Sequence, residues 1–429
     1  MNFPTPPPLP VHASGSNPGC LKLSLTTLVL LIAAAFGIET WVDRWSWPVD
    51  TAWYRITESG NTVKFGCQNF AETQFSGSAS PSTTRILVIG GSTTFGFPER
   101  PTSPEPIRHA RHGFVGSMQA ALDASWPGRF ELINLGVNGG ASEDTLRIFR
   151  RAMRWGAHGA IVYDGHNEFM GVPRQFSPWW WQFATYRRFA VLAPRVVESP
   201  GWVGAPAYGT PQQAAAVVAR FRENLSEIVA TAQSAGMPIV VATQASNLSG
   251  FQPNWSTSGP ADLAAGRSPH QSEAQWASHP ESADLAFAVG TARILGGGNA
   301  DEAFRAARDH DAMPFRATTM INTVIRDVAA QDRVTLVDAD ALFSAAGTPG
   351  LASFYDWVHP KPDAAAFLAD AMLEGMARAG MLPGPPAVPR TAHGSRRRGR
   401  RQGRARVGRL APVGVGPWAR PRRSALTGR

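Results

Sequence analysis

The stretch RILVIGGSTTFG, residues 85–96, is the clearest indication of the fold. Its first half, residues 85–90, is a short apolar run that ends in glycine, as expected for a buried strand of a parallel sheet. Its second half, residues 91–96, is rich in Gly, Ser and Thr, and this composition predicts a tight turn from the strand into a helix. The pattern indicates an α/β protein, in which ligands bind at the carboxyl ends of the strands.

Strands and helices alternate along the chain from residue 85 onward. Further strands are predicted at residues 130–134, 160–165, 238–243 and 334–339. Helices are predicted at residues 114–124, 143–155, 212–235, 318–330 and 364–379, with Ser142 as the N-cap of the second. This order predicts a three-layer α/β/α sandwich around a central, mostly parallel five-stranded sheet within residues 85–383.

Two stretches interrupt the alternation. Residues 168–209 contain three consecutive tryptophans at positions 179–181, which can line a glycan groove, lie on a membrane or pack within the insertion. Residues 246–298 are polar and rich in Gly, Ser and His. Insertions in this architecture sit at the carboxyl ends of strands, so both are expected beside the ligand site.

The N-terminal region carries a candidate membrane segment. Residues 1–20 are rich in Pro, Ser and Gly, contain no Asp, Glu, Lys or Arg, and are predicted to form a disordered leader. Residues 23–38 form an uncharged apolar run, and the tryptophans that follow it suit a membrane–water interface. We interpret residues 21–40 as a transmembrane signal anchor, with a cleaved secretory signal and a buried core helix as alternatives. The first two place the rest of the chain outside the cytoplasm, and residues 41–84 are interpreted as a linker and lead-in.

The positive charge of the chain is concentrated in its tail. The net charge is +9, but residues 390–429 contain 13 Arg and no Lys, Asp or Glu, so the other 389 residues carry a net charge of −4. Residues 384–429 are predicted to be disordered. A mildly acidic folded part argues against a nucleic-acid-binding protein. Two cysteines are too few for a disulfide scaffold or a four-ligand zinc site.

The turn at residues 91–96 is compatible with several chemistries. A phosphate-binding loop needs Lys and a hydroxyl residue after its second glycine, but Phe97 and Pro98 occupy those positions. The nucleophile elbow of α/β-hydrolases, Gly-x-Ser-x-Gly, fails because position 94 is Thr. Two interpretations stay open: a nucleophilic Ser92 on a tight turn, or an ordinary glycine-rich turn with a capping serine.

Polar motifs also follow the other strands. NLGVNGGAS (residues 134–142) follows the second strand, DGHNE (residues 164–168) follows the third, and DWVHP (residues 356–360) lies near the end of the predicted domain. The spacing of Asp356 and His359 lets both side chains reach the same point. A histidine that accepts the proton of a serine hydroxyl, with its tautomer fixed by a carboxylate, is the arrangement of a nucleophilic serine enzyme.

Four blocks together resemble the SGNH (GDSL-type) hydrolase family: GGSTTFG, NLGVNGG, GHNE and DWVH, in the order that the family has them. The resemblance covers roughly residues 85–380. It implies the flavodoxin-like fold of that family, with Ser92 as the nucleophile, His359 as the general base and Asp356 as the residue that orients His359. It also implies an oxyanion hole formed by the backbone N–H groups of Ser92 and Gly139 and by the side-chain amide of Asn167.

Two positions depart from the pattern of the family. Gly91 precedes the serine where the family commonly has Asp, and Glu168 follows the oxyanion asparagine where Asp is also common. Neither change removes a reacting group, but both can alter how the substrate fits.

Other polar residues have two interpretations each. His166 can contact the substrate or pack within its loop, and Arg316 can contact an acidic substrate or form a structural ion pair. Asp164 is interpreted as a residue that hydrogen-bonds within its loop. Residues 308–311, RDHD, are interpreted as a solvated face or ion pairs rather than a metal site. No metal or organic cofactor is expected.

The sequence therefore predicts a membrane-tethered, extracytoplasmic serine esterase, periplasmic in a Gram-negative bacterium. Its substrate is expected to be an acyl ester, such as an acetyl ester on a glycan or lipid. An O-acyltransferase with the same triad and a sugar hydroxyl as acceptor is the first alternative. An inactive glycan-binding module on the same fold is the second, and the complete Ser–His–Asp set argues against it. The expected partners are the ester substrate and, through the N-terminal segment, the membrane, with no nucleic acid.

Overall fold

The computed structural model describes residues 54–67, 70–99, 112–169, 211–254, 269–312 and 314–384, together with the isolated residues Thr27 and Ala34. The predicted leader, the rest of the predicted anchor, the tryptophans at 179–181, most of the first insertion and the Arg-rich tail from residue 385 lie outside these residues. Among the described residues, no helix combines the length and the apolar character needed to cross a membrane.

A three-stranded antiparallel sheet precedes the α/β alternation. Its strands are β1 (Arg55–Ser59), β2 (Thr62–Gly66) and β3 (Thr73–Ser76), and they pair in chain order. The sequence predicts only a linker and lead-in over residues 41–84, and it does not predict these three strands. Strands of four or five residues with mixed polar and apolar side chains produce little periodic signal.

One face of this N-terminal sheet packs into the main core. The side chains of Ile56 and Phe65 are buried there. The ring of Phe75 meets the ring of Trp155 edge-on, with 5.1 Å between their centroids, and the guanidinium of Arg85 lies 5.7 Å from the centre of the Phe75 ring. The N-terminal sheet is therefore part of the same hydrophobic core as the central sheet.

The central sheet consists of five parallel strands. They are β4 (Thr84–Gly90), β5 (Phe130–Gly136), β6 (Gly159–Tyr163), β7 (Ile239–Ala242) and β8 (Val334–Val337). Their spatial order is β5-β4-β6-β7-β8, which is the 2-1-3-4-5 order of flavodoxin-like doubly wound folds. The predicted fold class is confirmed, and the predicted strands agree with the observed ones to within two residues at each end.

The described residues also form ten α-helices. They are α1 (Ser92–Phe95), α2 (Gly113–Ser125), α3 (Ser142–Ala152), α4 (Pro211–Ser234), α5 (Pro269–Ser278), α6 (Ala283–Leu295), α7 (Asp301–Asp309), α8 (Thr319–Ala329), α9 (Ala339–Ala345) and α10 (Pro362–Arg378). A 3-10 turn, Met153–Trp155, extends α3. The five helices predicted from the sequence correspond to α2, α3, α4, α8 and α10.

Helices cover both faces of the central sheet because β4 is apolar on both faces. Ile86 and Val88 belong to a buried cluster that includes α2 and α10. Leu87 and Ile89 belong to a second cluster that includes α3, α4 and α8. Successive side chains of a strand point to opposite faces, so a strand of continuous apolar residues needs a helical layer on each side.

The second insertion, residues 246–298, is partly helical. Helices α5 and α6 lie within it, and the hydroxyl of Ser282 caps α6 by accepting a hydrogen bond from the N–H of Leu285 at 3.4 Å. Phe287 of α6 packs against Phe304 of α7, with ring centroids 5.3 Å apart. The sequence predicts only a polar insertion here, because its Gly, Ser and His residues dilute the helical spacing of the apolar ones.

The contribution of the N-terminal sheet to stability can be measured at Phe75. The substitution Phe75→Ala should lower the free energy of unfolding by about 3 to 5 kcal/mol, since truncating a buried aromatic ring leaves a cavity. Urea denaturation measures the change. The control is Met320→Ala at a side chain that is 45% exposed, which should change the same quantity by less than about 0.5 kcal/mol. Equal effects would show that β1–β3 do not support the core.

Candidate active site at the carboxyl edge of the sheet

The candidate site lies where the strand order reverses, at the carboxyl ends of β4 and β6. Gly90, the last residue of β4, has a φ of 153°, and a Cβ at this position would lie 1.9 Å from the carbonyl oxygen of Tyr163. Glycine alone permits this conformation and this approach. The turn after β4 therefore brings Ser92 to the edge of the sheet where Asn167 follows β6.

Ser92 is the first residue of α1, and Gly91 occupies the N-cap position. Ser92 is therefore not the capping residue that one interpretation of the sequence allowed. Its Oγ lies 2.8 Å from Nε2 of His359. The same side chain lines an open cavity, so a small molecule in the cavity can reach the hydroxyl.

Asp356 is bound to His359 through both the side chain and the backbone. Its Oδ2 lies 2.6 Å from Nδ1 of His359, and its Oδ1 accepts hydrogen bonds from the backbone N–H groups of Val358 and His359, each at 2.9 Å. Burial by itself raises the pKa of the Asp356 carboxyl, but these hydrogen bonds outweigh burial and hold the pKa below its usual range. The carboxylate is therefore ionised and held in one orientation toward the imidazole.

The predicted oxyanion donors line the same cavity as Ser92. The amide Nδ2 of Asn167 donates a hydrogen bond to the carbonyl oxygen of Gly140 at 2.8 Å, which fixes the amide plane and leaves its second N–H for another acceptor. Gly139 precedes that carbonyl and has a φ of 77°. Ser92, Gly139 and Asn167 line the same cavity. The structure thus brings together all five residues that the sequence predicts as catalytic or oxyanion residues.

The cavity has a volume of about 190 Å³ and is lined by both polar and apolar residues. The polar residues are the triad, the oxyanion residues and Asn138. The apolar residues are Phe315, Trp357 and Val358. The sequence predicts none of these four residues as part of the site, although two of them lie between Asp356 and His359 in the DWVH motif.

His166 and Arg316 are not among the described residues that line the cavity. The His166 ring is buried, and its Nδ1 accepts a hydrogen bond from the N–H of Ala317 at 3.1 Å. Burial lowers the pKa of His166 to about 3, so the ring is neutral. The Arg316 side chain is also buried and donates through Nη1 to the carbonyl oxygen of Asn247 at 2.9 Å. Both side chains thus lie outside the lining of the cavity, and Nη2 of Arg316 lies 3.8 Å from Oδ2 of Asp311.

Asp164 and the RDHD residue Asp309 form hydrogen bonds or ion pairs within the protein. Asp164 accepts hydrogen bonds from the N–H of Gly165 and the hydroxyl of Thr145, and burial raises its pKa to about 6. Asp309 forms an ion pair with Arg308 at 2.9 Å. Within the described residues, no group of three or more His, Cys, Asp or Glu side chains is arranged to hold a metal ion.

Glu168 has a structural role that the sequence does not indicate. It is buried, its Oε1 accepts a hydrogen bond from the N–H of Ser142 at 2.9 Å, and its Oε2 accepts one from the Ser142 hydroxyl at 2.8 Å. Ser142 begins α3 and is not its N-cap, which corrects the predicted capping; Ala141 occupies that position. Glu168 thus ties the residue after Asn167 to the start of α3.

Comparisons with known proteins found only distant structural neighbours. No protein-family model and no curated protein matches this chain. LAE5, an α/β hydrolase enzyme from the metagenome of Lake Arreo in Spain, is 17% identical, covering 70% of this chain and 97% of its own, with a TM-score of 0.38. Axe2, an acetylxylan esterase from Geobacillus stearothermophilus, is 14% identical. The match covers 69% of this chain and 96% of Axe2, with a TM-score of 0.36. At these identities and TM-scores the likeness carries no argument about activity, which has to come from the site itself.

The ionisation of Glu168 should affect how stability depends on pH. Burial, and next the charge of Asp164, raise the pKa of Glu168 from 4.5 to about 8. Between these two values the unfolded chain releases the proton and the folded chain keeps it. Glu168 therefore makes the free energy of unfolding fall as the pH rises through this interval, by at most about 1.4 kcal/mol per pH unit.

The neutral isostere Glu168→Gln should remove this contribution. The free energy of unfolding of the variant minus that of the wild type should rise from about pH 5 to about pH 8. Urea denaturation at several pH values in this range measures the difference. Using the difference cancels the contribution of His166, whose lowered pKa acts in the opposite direction below pH 6.5. A difference that is independent of pH would contradict a raised pKa at Glu168.

Proposed function

We propose that this chain is a serine hydrolase of acyl esters in which Ser92, His359 and Asp356 act together. One observation carries the proposal: two consecutive hydrogen bonds join Ser92 Oγ to His359 Nε2 at 2.8 Å and His359 Nδ1 to Asp356 Oδ2 at 2.6 Å. A serine with a purely structural role needs no imidazole at its hydroxyl. A binding module without activity needs no carboxylate behind that imidazole.

The first half-reaction transfers the acyl group to the enzyme. His359 Nε2 accepts the hydroxyl proton of Ser92 while Oγ attacks the carbonyl carbon of the ester. The carbonyl oxygen becomes negatively charged and accepts hydrogen bonds from the N–H groups of Ser92 and Gly139 and from the second amide N–H of Asn167. The bond between the carbonyl carbon and the alcohol oxygen then breaks, and His359 gives its proton to the departing alkoxide.

The second half-reaction releases the acid. A water molecule gives a proton to His359 and attacks the acyl carbon, and the proton returns to Ser92 as the acyl bond breaks. Asp356 accepts the Nδ1–H of His359 throughout, which fixes the tautomer and stabilises the imidazolium. The hydrogen bonds that lower the pKa of Asp356 support this role, because they keep the carboxylate ionised at neutral pH.

The size of the cavity supports a short acyl group. Its volume of about 190 Å³ is below the roughly 300 to 1,000 Å³ of sites for drug-sized ligands. Phe315 and Trp357 present apolar surface beside Ser92. We therefore propose an acetyl group or a similarly short chain as the acyl part. The glycan or lipid expected from the sequence as the alcohol part stays a prediction.

Hydrolysis and transfer differ only in the second half-reaction. An O-acyltransferase would replace water with a sugar hydroxyl and use the same residues. Mass spectrometry of the products, with a glycan present as acceptor, separates the two activities. Free acid indicates the hydrolase, and acylated glycan indicates the transferase.

Ser92→Ala should abolish both ester hydrolysis and labelling by a fluorophosphonate probe, because it removes the attacking oxygen. Intact-mass analysis should find one adduct on the wild type and none on the variant. Ser234→Ala is the control, since it removes an exposed serine hydroxyl of α4 that donates to the Ala230 carbonyl of its own helix at 2.8 Å, and it should leave labelling unchanged. Labelling that persists in Ser92→Ala would exclude Ser92 as the nucleophile.

Asn167→Ala should lower kcat by about two to three orders of magnitude, the usual effect of removing one oxyanion donor. KM should change much less, because the donor acts mainly on charge that develops in the transition state. Steady-state kinetics on a short-chain ester measures both constants, and a thermal melt checks that the variant is folded. A kcat close to that of the wild type would mean that the amide does not face the reacting carbonyl.

A further inference from the structure

Asn247 is a buried residue outside the cavity whose polar groups are all hydrogen-bonded. It lies five residues after the end of β7 and its side chain is fully buried. Its backbone N–H donates to the carbonyl oxygen of Trp357 at 2.9 Å, and its Nδ2 donates to the carbonyl oxygen of Asp356 at 2.9 Å. Two consecutive carbonyl groups of the loop that carries the triad acid are therefore bound to one residue.

These two carbonyls belong to the turn that orients the Asp356 carboxylate. In that turn, Oδ1 of Asp356 accepts the N–H groups of Val358 and His359. The Val358 N–H shares a peptide group with the Trp357 carbonyl, which the backbone N–H of Asn247 binds. The preceding peptide group carries the Asp356 carbonyl, which the Asn247 side chain binds. Asn247 therefore restrains both peptide groups between Asp356 and Val358.

The side chain of Asn247 is itself held in place. Its Oδ1 accepts a hydrogen bond from the N–H of Gly250 at 2.8 Å. A Cβ at Gly250 would lie 2.6 Å from Oδ1 and 2.7 Å from Nδ2 of Asn247. The amide thus lies flat against the backbone of its own loop, with its orientation fixed so that Nδ2 points at Asp356.

Arg316 also binds the backbone of Asn247. Its Nη1 donates to the Asn247 carbonyl oxygen at 2.9 Å, and its Nη2 lies 3.8 Å from Oδ2 of Asp311. The same Oδ2 accepts the N–H of Asn254 at 2.8 Å. The loop from Asn247 to Asn254 is therefore bound at both ends to the Arg316–Asp311 pair.

We propose that Asn247 is a positioning residue for the loop of Asp356 and His359, and that its side-chain amide keeps the Asp356 carboxylate aligned with the imidazole. The importance of this alignment rests on the proposed Ser92 hydrolase function. Removing the amide leaves the Asp356 carbonyl without this donor and the turn free to relax. A shift of about 1 Å at a catalytic group can cost about a hundredfold in rate.

Asn247→Ala should lower kcat by about 10- to 100-fold with little change in KM. Asn247→Asp keeps the shape but replaces the donor with a carboxylate that repels the Asp356 carbonyl, and should lower kcat at least as much. In an Asp356→Ala background, adding Asn247→Ala should change the residual rate by less than about twofold, because the group it positions is already absent. If Asn247→Ala does not fold, the kcat of Asn247→Asp provides the test.

Asn322→Ala is the matched control. Asn322 is also fully buried and binds the N–H and carbonyl of Gln244, at 2.8 and 3.1 Å, in the segment that leads to Asn247. Its loss should destabilise the same segment while kcat stays within about twofold of the wild type. An equal loss of kcat in the Asn322 and Asn247 variants would overturn the proposal, as would a full additional loss in the Asp356→Ala background.

A readout that does not depend on activity separates this inference from the proposed function. The proton in the 2.6 Å hydrogen bond between His359 and Asp356 should give a far-downfield NMR resonance. This resonance should disappear or shift in Asn247→Ala and persist in Asn322→Ala. An unchanged resonance in Asn247→Ala would overturn the positioning role even if Ser92 hydrolyses esters. A resonance that responds as expected in a protein without esterase activity would support the positioning role and exclude the proposed function.

Discussion

The close approach of β4 to the end of β6 is the constraint on which the arrangement of the site depends. A Cβ at Gly90 would lie 1.9 Å from the carbonyl oxygen of Tyr163, and a Cβ at Gly136 would lie 2.2 Å from the backbone nitrogen of Phe95. Glycine at both positions lets α1 rest on the ends of the two neighbouring strands. The Thr94 hydroxyl reinforces this contact by donating to the Tyr163 carbonyl at 2.9 Å. These contacts hold α1, which carries Ser92, against the ends of the strands.

The carboxyl groups around the site differ in their pKa values, because burial raises some of them and hydrogen bonds lower another. Desolvation raises the pKa of Asp164 and of Glu168 and lowers the pKa of His166, so each of these groups is biased toward its neutral form. Hydrogen bonds overcome burial at Asp356 and keep its carboxylate ionised. At neutral pH the Asp356 carboxylate therefore supplies the negative charge that a protonated His359 requires, while Glu168 and His166 are mostly neutral.

Segments outside the sequence motifs hold the motif residues in place. The N-terminal sheet reaches the oxyanion loop through Cys67, whose sulfur accepts the N–H of Asn138 at 3.2 Å. The second insertion reaches the triad loop through Asn247. Glu168 joins the end of the β6 loop to the start of α3. The geometry of the site is consequently a property of the whole domain, since the motifs alone supply the reacting groups but not their supports.

The sequence by itself determined the central sheet and the identity of the residues that meet at its edge. Apolar runs such as residues 85–90 indicate buried strands locally, and parallel strands bring the residues after them to one edge. Tertiary structure decided which polar residues line the cavity and which lie outside it. Arg316 and His166 lie outside its lining and bind the backbone of neighbouring loops. Asn247 binds a turn 109 positions away in the chain. A hydrogen bond between such distant residues leaves no local pattern in the sequence, because its geometry exists only after the strands and insertions have packed.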